Sequence, residues 1–310
     1  MINLEPFNQT RLFGLDKYIS DLIRLYENDK LPNKLLLSGL KGSGKSTLAF
    51  HLINYALSKD QKYKYHLNDF QINKENTSFK TVLNRSNPNL RIIDIDIDKK
   101  FIDINQIREL IINLNKSSFN NKPRFVLIDN IEFLNINSIN ALLKILEEPN
   151  YNVYFILINN NKKILPTLLS RCVNYKIHLS NSEVMNITNN LLNGKINETI
   201  NNDLINYYLT PGNIVNLIKF GKLNGYDLIN YDLKTFLKVF IKENHFKKNT
   251  SLKYMIFELI EFYFRKINSS VSTNIIEKYS YFLKRKCDTQ TYNLDEESLF
   301  MEFKEEILDG

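Results

Sequence analysis

The chain has 310 residues, enough for two or three domains and a sizeable core. Its 43% hydrophobic and 24% charged residues describe an ordinary globular protein, and no apolar run approaches the length of a membrane-spanning helix. A net charge of +7 favours an anionic partner, with nucleic acid the usual candidate, although the Asn-, Lys- and Ile-rich composition is also that of an AT-rich genome.

The opening, MINLEPFNQTR, lacks the apolar centre of a secretory leader. A helical pattern follows with Tyr18, Ile19, Leu22, Ile23 and Leu25, and Leu31-Pro32-Asn33 breaks it. Leu35-Leu36-Leu37 suits a buried strand, and Gly39 to Ser46 then matches G-x-x-x-x-G-K-[ST], the phosphate-binding loop. Glycines at Gly39, Gly42 and Gly44 let the backbone curl so that successive N–H groups face phosphate oxygens, next to the positive end of a helix running from about Lys45 to Leu57. Ser43 and Thr47 flank the contacts; Lys45 would reach the β- and γ-phosphates, and Ser46 would ligate Mg²⁺. ATP with Mg²⁺ is the expected ligand pair.

Residues 58–89 are polar and weakly periodic and read as an irregular excursion closed by Pro88. Residues 91–98 alternate apolar and acidic, as a strand with one solvated face would. Ile107, Leu110, Ile111 and Leu114 give a helix over 104–114. Phe125 to Asp129 is a short apolar run ending in an acid, the form of a buried parallel strand. Asp129 stands at its carboxyl end, where ligands collect, and is a candidate for the Mg²⁺ water shell. Asn137 or Ser138 caps a helix carrying Ile139, Leu142, Leu143 and Leu146 up to Pro149, and Tyr154 to Ile158 forms another strand. Strands alternating with helices predict a doubly wound parallel sheet up to about residue 178.

Beyond Leu179 strand signals vanish, and helical patterns recur at 183–193, 202–209, 213–220, 233–246, 252–267, 273–286 and 294–308. The expected division is 1–178 as the nucleotide-binding domain, 179–221 as a helical lid and 222–310 as a helical domain. Tyr254, Phe257, Phe262, Phe264, Tyr281 and Phe282 read as core of the last. Cys172 and Cys287 are the two cysteines; their separation excludes a cysteine-only zinc site, supports no disulfide framework and fits a reducing, cytoplasmic setting.

Three stretches carry a family resemblance: Leu35 to Ala49, preceded by Leu12-Phe13-Gly14; Asn140-Ala141-Leu142-Leu143-Lys144-Ile145-Leu146-Glu147-Glu148-Pro149; and Leu165-Pro166-Thr167 to Ser170-Arg171-Cys172. Together they resemble the AAA+ ATPases of the bacterial clamp loader. The resemblance implies an AAA+ module with a helical lid, followed by a C-terminal collar that drives oligomerisation. It implies a hetero-pentamer with motor and delta-type subunits, a sliding clamp and primed DNA as partners, and no membrane. It makes Arg171 an arginine finger acting on a neighbouring subunit's nucleotide, and Asn159 the sensor-one residue. Active members follow the strand acid with glutamate, whereas Asp129 is followed by Asn130, an amide that cannot act as a base; Glu132 lies two residues late, on a different side of the chain. The second-sensor arginine is absent near Thr210-Pro211-Gly212, where Asn213 stands, and residues 58–90 lack the family's zinc cysteines. An intact phosphate loop with a damaged hydrolytic set resembles a stator more than a motor. An active motor subunit is the alternative. A small-substrate kinase would leave Ser170-Arg171-Cys172 and about a hundred C-terminal helical residues unexplained.

Overall fold

The computed structural model describes residues 5–96, 99–116, 120–148, 152–205, 209–248, 250–267, 273–292 and 294–309. The chain divides into two compact units, the first comprising Met1–Leu191 with Thr210–Gly212, the second Leu192–Leu209 with Asn213–Gly310.

In the first unit the elements run α1 (Asp16–Glu27), β1 (Lys34–Ser38), α2 (Lys45–Ser58), α3 (Thr77–Leu83), β2 (Leu90–Ile93), α4 (Ile104–Leu114), β3 (Arg124–Ile128), α5 (Ile136–Glu147), β4 (Val153–Asn159), α6 (Pro166–Leu169) and β5 (Val173–Lys176), with α7 spanning Asn181–Leu192. The five strands form one sheet in the order β2-β3-β4-β1-β5, and every pairing is parallel. Parallel strands need helical crossovers, which cover both faces, so the central strands are apolar throughout rather than alternating. Period two then sorts their side chains. Leu35 and Leu37 of β1, with Phe125 and Leu127 of β3, pack into the layer of α1 and α2. Leu36, Val126 and Ile128 join Ile107, Leu110, Leu142 and Leu146 of α4 and α5 in the other layer. Truncating a fully buried residue such as Leu36 to alanine would cost about 2–5 kcal/mol.

Local chemistry sets the helix ends. Asp103 and Gln106 form a reciprocal capping box on α4. The cap of α5 is Asn135, accepting from the Ser138 N–H, rather than Asn137 or Ser138 itself. An amide two residues earlier wins because its oxygen reaches an orphan N–H while its own backbone is extended. Pro149, the expected stop, lies outside the described residues.

Three other expectations for this unit need correction. The excursion holds a helix, α3, capped by the buried Asn76, which accepts from Phe79 N at 2.9 Å and donates to Tyr63 O at 2.8 Å. Only Phe79 and Val82 of its apolar face are buried, too short a run to show a period. The buried His51 ties the excursion down, bonded to Tyr65 Oη at 2.9 Å and Gln9 O at 3.2 Å. The strand read over 91–98 ends at Ile93, since Asp94 turns its carboxylate to Asn130; residues 97 and 98 lie outside the described set. An edge strand, β5, follows Cys172 where no strand was expected, because its side chains are largely exposed and carry no apolar run.

Asparagine repeatedly does glycine's work at turns. Of the eight described non-glycine residues at positive φ, five are Asn130, Asn152, Asn161, Asn193 and Asn244.

The second unit is helical: α8 (Pro211–Asn224, its first two residues in the first unit), α9 (Leu233–Lys242), α10 (His245–Lys248), α11 (Thr250–Ile267), α12 (Thr273–Tyr292) and α13 (Glu296–Phe303), the last running into a wider π-type turn over Lys304–Asp309. The helix read at 202–209 is a single 3₁₀ turn, Asn202–Leu204, with 206–208 outside the described residues. Phe257, Phe264, Phe282, Phe300 and Phe303 are buried, and their rings meet at centroid distances of 4.9–6.5 Å. Tyr281 departs from the expected core, being 49% exposed, and Phe262 is half-buried; the side chain of Tyr254 lies outside the described set. A tyrosine on a helix rim keeps its hydroxyl wet while its ring covers neighbours. No helix among the described residues is long and apolar enough to cross a membrane.

Candidate nucleotide-binding site

The loop between β1 and α2 is built by close approach. Gly39 N donates to Asn159 O at 3.2 Å, and a Cβ on Gly39 would stand 2.4 Å from Ile177 O. Gly44 has φ +87°, and a Cβ there would come within 2.9 Å of Leu15 Cδ1. Both positions require glycine for steric reasons.

Lys45 is 3% exposed, and its ammonium donates to Leu40 O at 2.6 Å, Gly39 O at 3.0 Å and Ser43 Oγ at 3.4 Å. Burial pushes its pKa down to about 8, against the opposing negative charges of Asp129 and Glu132. A buried cation turned onto loop carbonyls is a donor set suited to polyphosphate oxygens. Ser46 Oγ donates to Asp129 Oδ2 at 2.5 Å, so the two residues read as Mg²⁺ partners meet directly. Desolvation raises the Asp129 carboxyl, with Asp94 adding to it and the Ser46 bond opposing it. Thr47 is half-buried in the first turn of α2. These residues fit ATP and Mg²⁺: loop N–H groups and Lys45 for phosphates, Ser46 and Asp129 for the ion, which would neutralise phosphate charge.

Asn159 does not offer its side chain to the loop. Its Oδ1 accepts from Lys162 N at 3.2 Å and its Nδ2 donates to Lys162 O at 3.0 Å, closing the turn after β4, while its backbone carbonyl anchors Gly39.

A polar chain that sequence reasoning missed crosses the carboxyl ends of β2, β3 and β4. Asn130 Nδ2 donates to Asp94 Oδ1 at 2.7 Å, and Asn160 Nδ2 donates to Asn130 Oδ1 at 2.7 Å and Glu132 Oε1 at 2.9 Å. Asn160 N reaches Glu132 Oε2 at 3.3 Å. Glu132 was expected on a different side of the chain. Asn130 instead takes φ +54°, the 3₁₀ turn Ile131–Phe133 follows, and the Glu132 carboxylate comes back to the same group of side chains. Asp94, read as part of a solvated face, is one of its anchors.

Thr210–Gly212 also sits on the loop. Thr210 Oγ1 donates to Lys41 O at 2.7 Å and Gly212 N to Gly42 O at 3.0 Å; a Cβ on Gly212 would be 2.9 Å from Gly42 Cα. The Thr-Pro-Gly run was the available signal, since glycine just inside a helix start has no helical rationale.

Arg171 lies apart from this constellation, just after α6. Its Nε and Nη2 donate to Glu147 Oε1 at 3.2 and 2.7 Å, and its Nη1 to Thr167 O at 2.9 Å. Leu165, Leu169 and Val173 are exposed around it. Cys172 packs against the α4–α5 layer, and burial pushes its thiol up to about 11, an inert packing residue rather than a nucleophile.

A family model described as DNA polymerase III, delta subunit, matches residues 14–181, more than half of the chain. The chain belongs to that family. This is the family of clamp-loader AAA+ subunits that the three stretches quoted from its sequence implied. Among its relatives, DNA polymerase III subunit gamma/tau of Mycoplasma genitalium is 32% identical over 171 residues, 55% of this chain and 27% of that protein. DNA polymerase III subunit delta' of Buchnera aphidicola is 40% identical over 80 residues, 26% of this chain and 24% of that protein. The chain thus spans about a quarter of the length of either. A gamma subunit-related protein from Thermotoga maritima superposes with a TM-score of 0.47 at 19% identity, over 92% of this chain and 96% of that one.

Proposed function

We propose that this chain is a delta-prime-like subunit of the replicative clamp loader, a cytoplasmic protein that binds ATP with Mg²⁺ and has little turnover of its own. In this reading it donates Arg171 to the nucleotide of a neighbouring motor subunit, and the hetero-pentamer, with motor and delta subunits, places a sliding clamp on primed DNA. Residues 1–178 form the nucleotide-binding module, 179–221 the lid and 222–310 the collar.

The observation that carries the reading is Asn130. Its amide stands where an active member has its base, and both ends are committed, to Asp94 and to Asn160. The apolar exposure of Leu165, Leu169 and Val173 around Arg171 supports an intersubunit surface there. Guanidinium geometry suits transition-state phosphate charge, and finger contributions in GTPases run on the order of 10³–10⁵ in rate. The test is ATP turnover and clamp loading by reconstituted loaders that differ only at Arg171. Arg171→Ala should leave ATP binding and assembly intact and lower hydrolysis at the adjacent motor site, and Arg171→Lys should not rescue it fully. Normal loading by the Ala variant would refute the finger.

Glu132 favours a second reading, an active motor subunit of gamma/tau type. Its carboxylate is held by Asn160 on two bonds, as a water-orienting group would be. Mg²⁺-dependent turnover by the isolated chain, abolished by Glu132→Gln, would select that reading.

A further inference from the structure

Arg171 and Glu147 make a contact that the finger reading does not require. Glu147 is the last residue of α5, and Arg171 follows α6, so the pair ties together two elements that carry separate stretches of family resemblance. A guanidinium has five N–H donors. Three are engaged: Nε and Nη2 share Glu147 Oε1, and Nη1 meets Thr167 O. Among the described residues, one N–H on each terminal nitrogen is left over. Holding the group at both Nε and Nη1 fixes its plane, because rotation about the last side-chain torsion would break one bond or the other.

The pair contributes little to stability. Its side chains are 33% and 54% exposed, where ion pairs are weak and screened by salt. Orientation is another matter. A free arginine must surrender rotamer freedom when it engages a phosphate, and a docked one has already done so.

We infer that Glu147 is the positioning residue of Arg171, docking its guanidinium in advance and leaving two N–H groups for the phosphate oxygens of a nucleotide on a neighbouring subunit. The inference rests on the finger reading proposed above. Glu147 does not touch nucleotide; it acts through Arg171.

The experiment uses full-length chains in reconstituted loaders with ATP, comparing Arg171→Ala, Glu147→Ala, Glu147→Gln and the double Ala variant. Glu147→Ala should lower kcat at the neighbouring site about three- to tenfold while KM for ATP stays level, since the ordering is used in the transition state. Glu147→Gln keeps an acceptor oxygen and should retain most of the rate. The double variant should be no slower than Arg171→Ala, because without the guanidinium there is nothing left to position. Glu147→Ala turning over at the parental rate or faster, in loaders that Arg171→Ala slows, would overturn the inference and leave the finger standing. Normal turnover by Arg171→Ala would refute the finger itself, and the inference with it.

Discussion

The Lys45 ammonium carries a pH signature. Burial holds its pKa near 8 in the free chain, and a bound polyphosphate favours the charged form, so binding raises that pKa. ATP affinity should therefore be full below pH 8 and weaken as pH rises above it, by up to about tenfold per pH unit. Titration calorimetry between neutral and alkaline pH checks this, and Lys45→Arg, which keeps its charge throughout, should flatten the profile if it binds. A flat profile for the parental chain would mean that Lys45 does not meet the phosphates. At this scale the strand–loop–helix turn from Gly39 to Ser46 was legible, because its residues are consecutive and its glycines meet a steric requirement. The partners of Asn130 were not. Asp94 and Asn160 come from the ends of different strands, and a side chain's aim across a sheet leaves no mark on local spacing. The bond from Arg171 to Glu147 was hidden for the same reason.

Among the elements, the start of α8 is the one whose role was least visible. Its Thr-Pro-Gly run drew attention for an arginine that is missing, while its observed part is to hold the carbonyls of Lys41 and Gly42. A methyl group on Gly212 meets backbone rather than a yielding side chain, so Gly212→Ala should push the phosphate loop out of shape. The expected result is roughly tenfold weaker ATP binding and a stability loss of about 1–3 kcal/mol, read by calorimetry and thermal unfolding. Unchanged affinity would make the contact incidental. The central strands were legible because burial on both faces makes them continuous apolar runs. The edge strand β5 and the short helix α3 were not: one shows too little apolar surface, the other too few turns for a period to emerge.

For the whole molecule, the sequence separated an alternating strand–helix half from a helical half, and each of the two compact units has its own core. If the C-terminal helices assemble the loader, a chain ending at Gly212 keeps the complete first unit and should still bind ATP, yet fail to join motor subunits in size-exclusion chromatography. Co-elution at parental stoichiometry would move the assembly contact into the first unit. Composition has one more consequence at this scale. A chain with nine glycines places asparagines in left-handed turns, and the asparagine side chain is chemically perishable. Asn193 is exposed and precedes Gly194, the sequence context in which the backbone most easily attacks the amide and leaves aspartate or isoaspartate. Purified protein should thus age by discrete acidic steps, each lowering the +7 charge by one, with Asn193 and Asn224, both exposed and followed by glycine, as the first positions to change.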